Sequence, residues 1–225
     1  MQVSERLERE TGRDYALRII KENIVSLDLA PGSPVSENEL AAELGLSRTP
    51  VREALIELAR VKIVEITPQK KSMVAPVNYD LVEESRFMRN VLECAVVELV
   101  CGMASGEDLA RLRENVKLQN FYLENFAPQK IMALDNEFHR TLFDIARKSQ
   151  VYHLMNTISI HFDRVRSMAL SSVKDIKIVQ DHAQLVDAIA LGDAPRARQL
   201  MEVHLSRYKF DAEAVRAQYP QYFNN

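Results

Sequence analysis

Residues 36–74 read SENELAAELGLSRTPVREALIELARVKIVEITPQKKSMV, and their local signals spell two short helices, a tight turn and a pair of strands. Ser36 followed three positions later by Glu39 is a capping-box pattern that starts a helix. Gly45 can adopt the left-handed conformation that ends it. Ser47 is placed to cap a second helix, and Pro50 is tolerated in its first turn, where backbone N–H groups lack intrahelical partners.

In that second helix Val51, Ala54, Leu55 and Leu58 share one face. Arg48, Thr49 and Arg52 share another, near the N-terminal end, and the two arginines are one turn apart. Two arginines on a helix usually mean no more than a solvated face. Here the apolar back gives them a seat. A helix fits the major groove of B-DNA, and a guanidinium fork matches the O6/N7 edge of guanine. Beyond it, Ile63–Ile66 and Ser72–Ala75 read as short strands. Thr67-Pro68-Gln69-Lys70-Lys71 forms the tip between them, and its two lysines are spaced to touch phosphates or the minor groove.

The run PGSPVSENELAAELGLSRTPVREAL, residues 31–55, resembles the winged helix-turn-helix domain of the GntR family of bacterial transcription regulators. The likeness extends from about Tyr15 to about Val77. It implies that Glu37, Ser47, Arg48, Thr49, Arg52, Lys70 and Lys71 face DNA. Three positions depart from the family pattern. Gln69 and Lys70 stand where relatives carry glycine in the wing turn. Lys62 replaces the glycine after the second helix, at a cost of about 1 kcal/mol if its φ is positive. Ile56 sits where a basic residue is common.

Working outward, the chain has 225 residues, 47% of them hydrophobic, and few glycines or prolines to interrupt long helices. That length suits one large or two modest domains. No apolar run reaches the roughly 18 residues of a membrane span, and the charged start MQVSERLERE lacks an apolar leader, so the expected location is the cytoplasm. A formal net charge of -3 argues against broad affinity for nucleic acid. Locally the balance reverses: from Arg48 to Lys71, Arg48, Arg52, Arg60, Lys62, Lys70 and Lys71 face only Glu53, Glu57 and Glu65. Cys94 and Cys101 lie two turns apart on one expected helix, too far for a disulfide, and read as core.

Residues 1–12 are polar and expected to be loose, and a helix runs from Asp14 to about Leu27. Asn78 is placed to cap the next helix after the hinge Pro76-Val77. From Asp80 the periodicity predicts six helices, at about 79–104, 105–125, 128–148, 151–170, 173–191 and 195–217. Short connections make them an antiparallel bundle. The expected fold class is therefore mainly α: a winged helix-turn-helix domain over 1–77, then a helical domain over 78–225.

Asp135 and His139 are four apart on one helix face, and His182 and His204 sit in two later helices. Three helices of a bundle can aim these four side chains at one interior point. Imidazole and carboxylate suit zinc, nickel or manganese. Singly, such histidines are ordinary core or surface residues. The stretches LDNEFHRTLFDIA and DHAQLVDAIALGDAPRARQLMEVHL, however, resemble the all-helical ligand-binding domain of the FadR subfamily, the FCD type, over roughly Asp80–Tyr208. The resemblance implies that Asp135, His139, His182 and His204 hold a divalent metal, zinc foremost. Through MRNVLE it also implies that Arg89, beside Glu93, receives a carboxylate effector; the other reading is a surface ion pair. Arg164 and Arg166 are alternative effector contacts, and His153 and His161 read as structural.

Together these residues predict a homodimeric regulator that reads a palindromic operator in double-stranded DNA and is switched by a small organic acid, most simply as a repressor released by its ligand. One alternative is a sensor of the metal alone. The other is a metal-dependent hydrolase, disfavoured because Glu137, two residues from Asp135, points away as a general base.

Overall fold

A computed structural model describes residues 1–67, 72–172, 177–207 and 214–223. The chain divides into two compact units: Met1–Val82 with the segment from Gln218 onward, and Glu83–Ala217.

In the first unit α1 (Gly12–Val25) is capped by Thr11, whose side chain accepts from Asp14 N, and it buries Ala16, Ile19, Ile20 and Ile24. α2 (Glu37–Leu44) starts at Ser36 and stops at Gly45, where φ is 64°. α3 (Arg48–Arg60) buries Val51, Ala54, Leu55 and Leu58, the face read from the sequence, and packs on α1 and α2. Ser47 occupies the N-cap position, but its hydroxyl makes no capping bond. Lys62 does sit in the left-handed region, at φ 59°.

The wing strands β2 (Val64–Glu65) and β3 (Ser72–Val74) pair antiparallel, Val64 opposite Val74. A third strand, β1 (Pro34–Val35), pairs with the other edge of β3. Two residues are too few to show alternation, so β1 had no signature in the sequence. The wing tip, with Lys70 and Lys71, lies outside the described residues.

The amino-terminal segment is tied down rather than loose. The backbones of Gln2 and the side-chain amide of Asn23 exchange two hydrogen bonds. Arg18 holds Ser4, Glu5 and Glu10. Arg18 and Asn23, the donors that hold it, sit on α1. At the other end of the chain, Val77 N donates to Tyr222 O at 2.7 Å. Val77 and Phe223 form a parallel bridge, and the Phe223 ring stacks on Tyr79.

The second unit is helical. α4 (Tyr79–Met103) begins on the Asn78 carbonyl side chain, which accepts from Asp80 N and Leu81 N. α5 (Gly106–Glu124) opens on a full capping box between Ser105 and Asp108. α6 (Pro128–Ile145), α7 (Ser149–Ile158), α8 (Ile160–Ser172), α9 (Ile178–Ala190) and α10 (Ala194–Ser206) follow. Gly192, at φ 69°, turns the chain between the last two, and Asp193 caps α10. The single helix expected over 151–170 is broken at Ser159, whose hydroxyl donates to the Met155 carbonyl one turn back.

α5 packs on α6 and α9, and α9 on α10. Between them Val97, Leu112, Phe138, Leu142, Leu185 and Met201 form the core, with the free thiol of Cys94 buried among them. Leu118 and Leu99 are exposed. On α5 the inward face carries Leu112, Asn115 and Gln119 instead. On α4, Phe87, Val91, Ala95 and Leu99 form an outward apolar stripe at four-residue steps, with Phe87 70% exposed.

Candidate functional site

Asp135 and His139 project from α6, His182 from α9 and His204 from α10. All four are buried, and their ligand atoms lie within 4.8 Å of one another. His139 Nε2 is 3.1 Å from His204 Nε2, and His182 Nε2 is 3.3 Å from it. Asp135 closes the group, with Oδ1 3.7 Å from His182 Nε2 and Oδ2 3.8 Å from His139 Nε2. The four residues singled out in the sequence are thus brought together.

Each imidazole has a partner-facing outer nitrogen. His182 Nδ1 is 2.8 Å from Gln119 Oε1. His139 Nδ1 contacts Glu93 Oε2. His204 Nδ1 lies 3.6 Å from Asp181 Oδ2, beyond hydrogen-bond reach, and Arg207 grips that carboxylate through Nε and Nη2. Carboxylate and carbonyl oxygens only accept, so a proton on Nδ1 of His182 or His139 would leave that ring's Nε2 lone pair facing inward. Both Nε2 atoms face His204 Nε2.

Burial pushes His182 well below the usual imidazole value, with His204 adding to it. Burial lowers His204 in the same sense. Neutral imidazoles are the metal-binding form. Burial alone would raise the Asp135 carboxyl; the Arg166 guanidinium against it outweighs that and lowers it.

Arg89 is not a surface pair. It is buried with Glu93, and its Nε donates to Glu93 Oε1 at 2.6 Å. Its guanidinium lies over the Phe162 ring, 5.2 Å from the centroid. Burial by itself would raise Glu93; Arg89 and His139 bring it down to about 2. Arg166 touches Asp135 and donates to Asp163 Oδ1 at 2.9 Å and Asn136 Oδ1 at 3.2 Å. Arg164 is fully buried, with Nη2 3.5 Å from His161 Nδ1. His161 is buried beside it and His153 is exposed.

Sequence reasoning named Glu93 only as the companion of Arg89, and missed Gln119, Asn115 and Asp181. The signal for two of them was present. Asn115 and Gln119 continue the spacing of Leu112 along a buried helix face, where polar side chains require partners.

On the first unit Arg48 and Arg52 stand out from α3 with side chains 66% and 69% exposed. Glu37 bridges them, 3.2 Å from Arg48 Nη2 and 3.7 Å from Arg52 Nε. Thr49 and Ser47 are exposed beside them. An exposed bridge of this kind contributes little to stability, so Glu37 orders the fork at small cost and can release it.

Comparison with known proteins agrees with this division. The model for bacterial regulatory proteins of the gntR family matches residues 15–74, and the FCD domain model matches residues 84–207. A Streptomyces ambofaciens protein, an uncharacterized HTH-type transcriptional regulator in an unstable DNA locus, is 33% identical over 96% of this chain and 90% of its own. The HTH-type transcriptional repressor RspR of Escherichia coli (strain K12) is 28% identical, covering 92% of this chain and 91% of that protein. Among solved structures, E. coli McbR/YncC superposes with a TM-score of 0.80 at 19% identity, over 93% of this chain and 99% of that one.

Proposed function

Because the chain belongs to the gntR family of bacterial regulatory proteins and carries an FCD domain, it is a DNA-binding transcription regulator and not an enzyme, and we propose that it is a homodimeric repressor of the FadR subfamily, holding a divalent metal and released from its operator by a small organic acid. The hydrolase alternative falls with that membership. The observation that carries the metal reading is the convergence of the His139 and His182 Nε2 atoms on His204, with the Asp135 carboxylate beside them. Asp135, His139, His182 and His204 would hold the ion, zinc foremost and nickel or manganese otherwise. His204 would then carry its proton on Nδ1, toward Asp181. Bound there, the metal supplies a Lewis acid to which a carboxylate oxygen can attach.

Arg89 is the residue assigned to the effector. Glu93 takes its Nε–H, so the Nη groups are the part of the fork open to a ligand carboxylate. The effector can change operator affinity only by preferring one state of the protein over another.

Residues 1–77 would read DNA in the cytoplasm: Arg48, Thr49 and Arg52 at base edges, Ser47, Lys70 and Lys71 at the backbone, and Glu37 aligning the arginines. Residues 78–225 would sense and dimerise, with a second copy covering the stripe of Phe87, Val91 and Leu99 on α4. Repression is favoured because the name of the E. coli relative describes a repressor.

Native mass spectrometry of protein purified without added metal or ligand tests the sensing half, and selection from a random pool of DNA duplexes tests the reading half. A metal-bearing dimer that selects a palindrome is the expected result. A metal-free monomer, or a dimer that remains empty after zinc is supplied, would overturn it.

A further inference from the structure

We propose that Gln119, anchored by Asn115, is a positioning residue that keeps His182 in the one tautomer able to bind a metal. The inference rests on the metal reading above.

A backbone carbonyl can only accept a hydrogen bond, and that fixes everything along a three-helix relay. Leu134 O, on α6, accepts from Asn115 Nδ2 at 3.1 Å. The Asn115 amide is therefore turned with Oδ1 toward Gln119, whose Nε2 donates to it at 2.6 Å. Gln119 must in turn present Oε1 to His182 Nδ1, at 2.8 Å. Reversing either amide would set two oxygens against each other in a dry interior, where an unpaired polar group costs most. The polarity runs one way, from a carbonyl that cannot change to an imidazole that could.

His182 has a competing choice. Its Nε2 faces Asp135 Oδ1 at 3.7 Å, and a carboxylate is the stronger acceptor. Without the relay the proton would be drawn to Nε2, toward Asp135, and the ligand atom would be blocked. Gln119 is fully buried, and α5 gives up an apolar contact at that position to keep an amide there. Packing alone does not ask for that. The carbonyl that starts the relay belongs to Leu134, the neighbour of Asp135, so the support for one ligand is built from the backbone beside another.

Long-range proton–nitrogen correlation spectra of metal-free protein labelled at histidine nitrogen read the tautomer directly. Zinc titration against a chromophoric chelator reads the affinity. The wild type should show the His182 proton on Nδ1. Gln119→Leu should move it toward Nε2 and weaken zinc binding by about 10- to 100-fold. Asn115→Leu, which leaves the acceptor but frees the amide to turn, should give a smaller loss with mixed tautomers. A wild-type His182 protonated on Nε2 would overturn the inference without needing any variant to fold. So would Gln119→Leu binding zinc as tightly as the wild type. A wild type that takes up no zinc would overturn the metal reading itself, which the other two outcomes leave standing.

Discussion

The guanidinium of Arg166 closes on Asp135, the same carboxylate that faces His139 and His182. A fixed positive charge therefore already sits where a metal would add two more. Arg166 neutralises Asp135, and by the same contact it would compete with a cation arriving at that carboxylate.

Removing that charge should separate the two roles. Arg166→Met leaves Asp135 and Asp163 buried without their partner, a loss of about 3–5 kcal/mol in the metal-free protein. Zinc should then restore more stability than it adds to the wild type, because Asp135 gains its only counter-charge. Differential scanning fluorimetry with and without zinc reads both effects. Equal zinc-induced shifts in variant and wild type would refute the competition.

Loss of a ligand should act in the opposite direction. His204→Ala removes the imidazole on which the other two converge, so zinc content should fall below one per subunit and the zinc-induced rise in melting temperature should disappear. Chelator treatment of the wild type should lower its melting temperature to about the variant's baseline. Full zinc occupancy in His204→Ala, measured by atomic emission, would exclude it as a ligand.

On the first unit, Arg52→Ala should weaken operator binding by about 1–3 kcal/mol and flatten base preference at one position of each half-site. Fluorescence anisotropy over a panel of single-base operator variants measures both. An affinity drop equal for every base would make Arg52 a phosphate contact instead.

Lys62→Gly tests backbone strain rather than recognition. Lys62 sits at φ 59°, a conformation glycine adopts without cost, so the substitution should stabilise the first unit by up to about 1 kcal/mol. A lower melting temperature of the variant would mean that the lysine side chain contributes more than its backbone loses.

Much of this was legible in advance because short-range chemistry carried it. Ser36, Gly45 and Asn78 mark helix ends by mechanisms confined to one turn, and each stands at the end it was read to mark. The buried cluster of Asp135, His139, His182 and His204 was legible because the first two share a helix face and the four together match a family pattern. What periodicity could not supply was the surroundings of that cluster. Gln119, Glu93 and Asp181 reach their histidines across helix boundaries, at separations no local rule addresses. The break at Ser159 was hidden for the opposite reason: the apolar pattern continues on both sides of it.

The bridge between Val77 and Phe223 sets an order for biosynthesis. A nascent chain that has emerged only as far as Val82 still lacks the backbone partner of Val77 and the ring that stacks on Tyr79. Its first unit stays unfinished while the whole helical unit is translated, and is completed only when Phe223 is free of the ribosome. Truncated products released early would thus carry a first unit without the Tyr222 carbonyl that takes the Val77 N–H and without the ring that covers Tyr79.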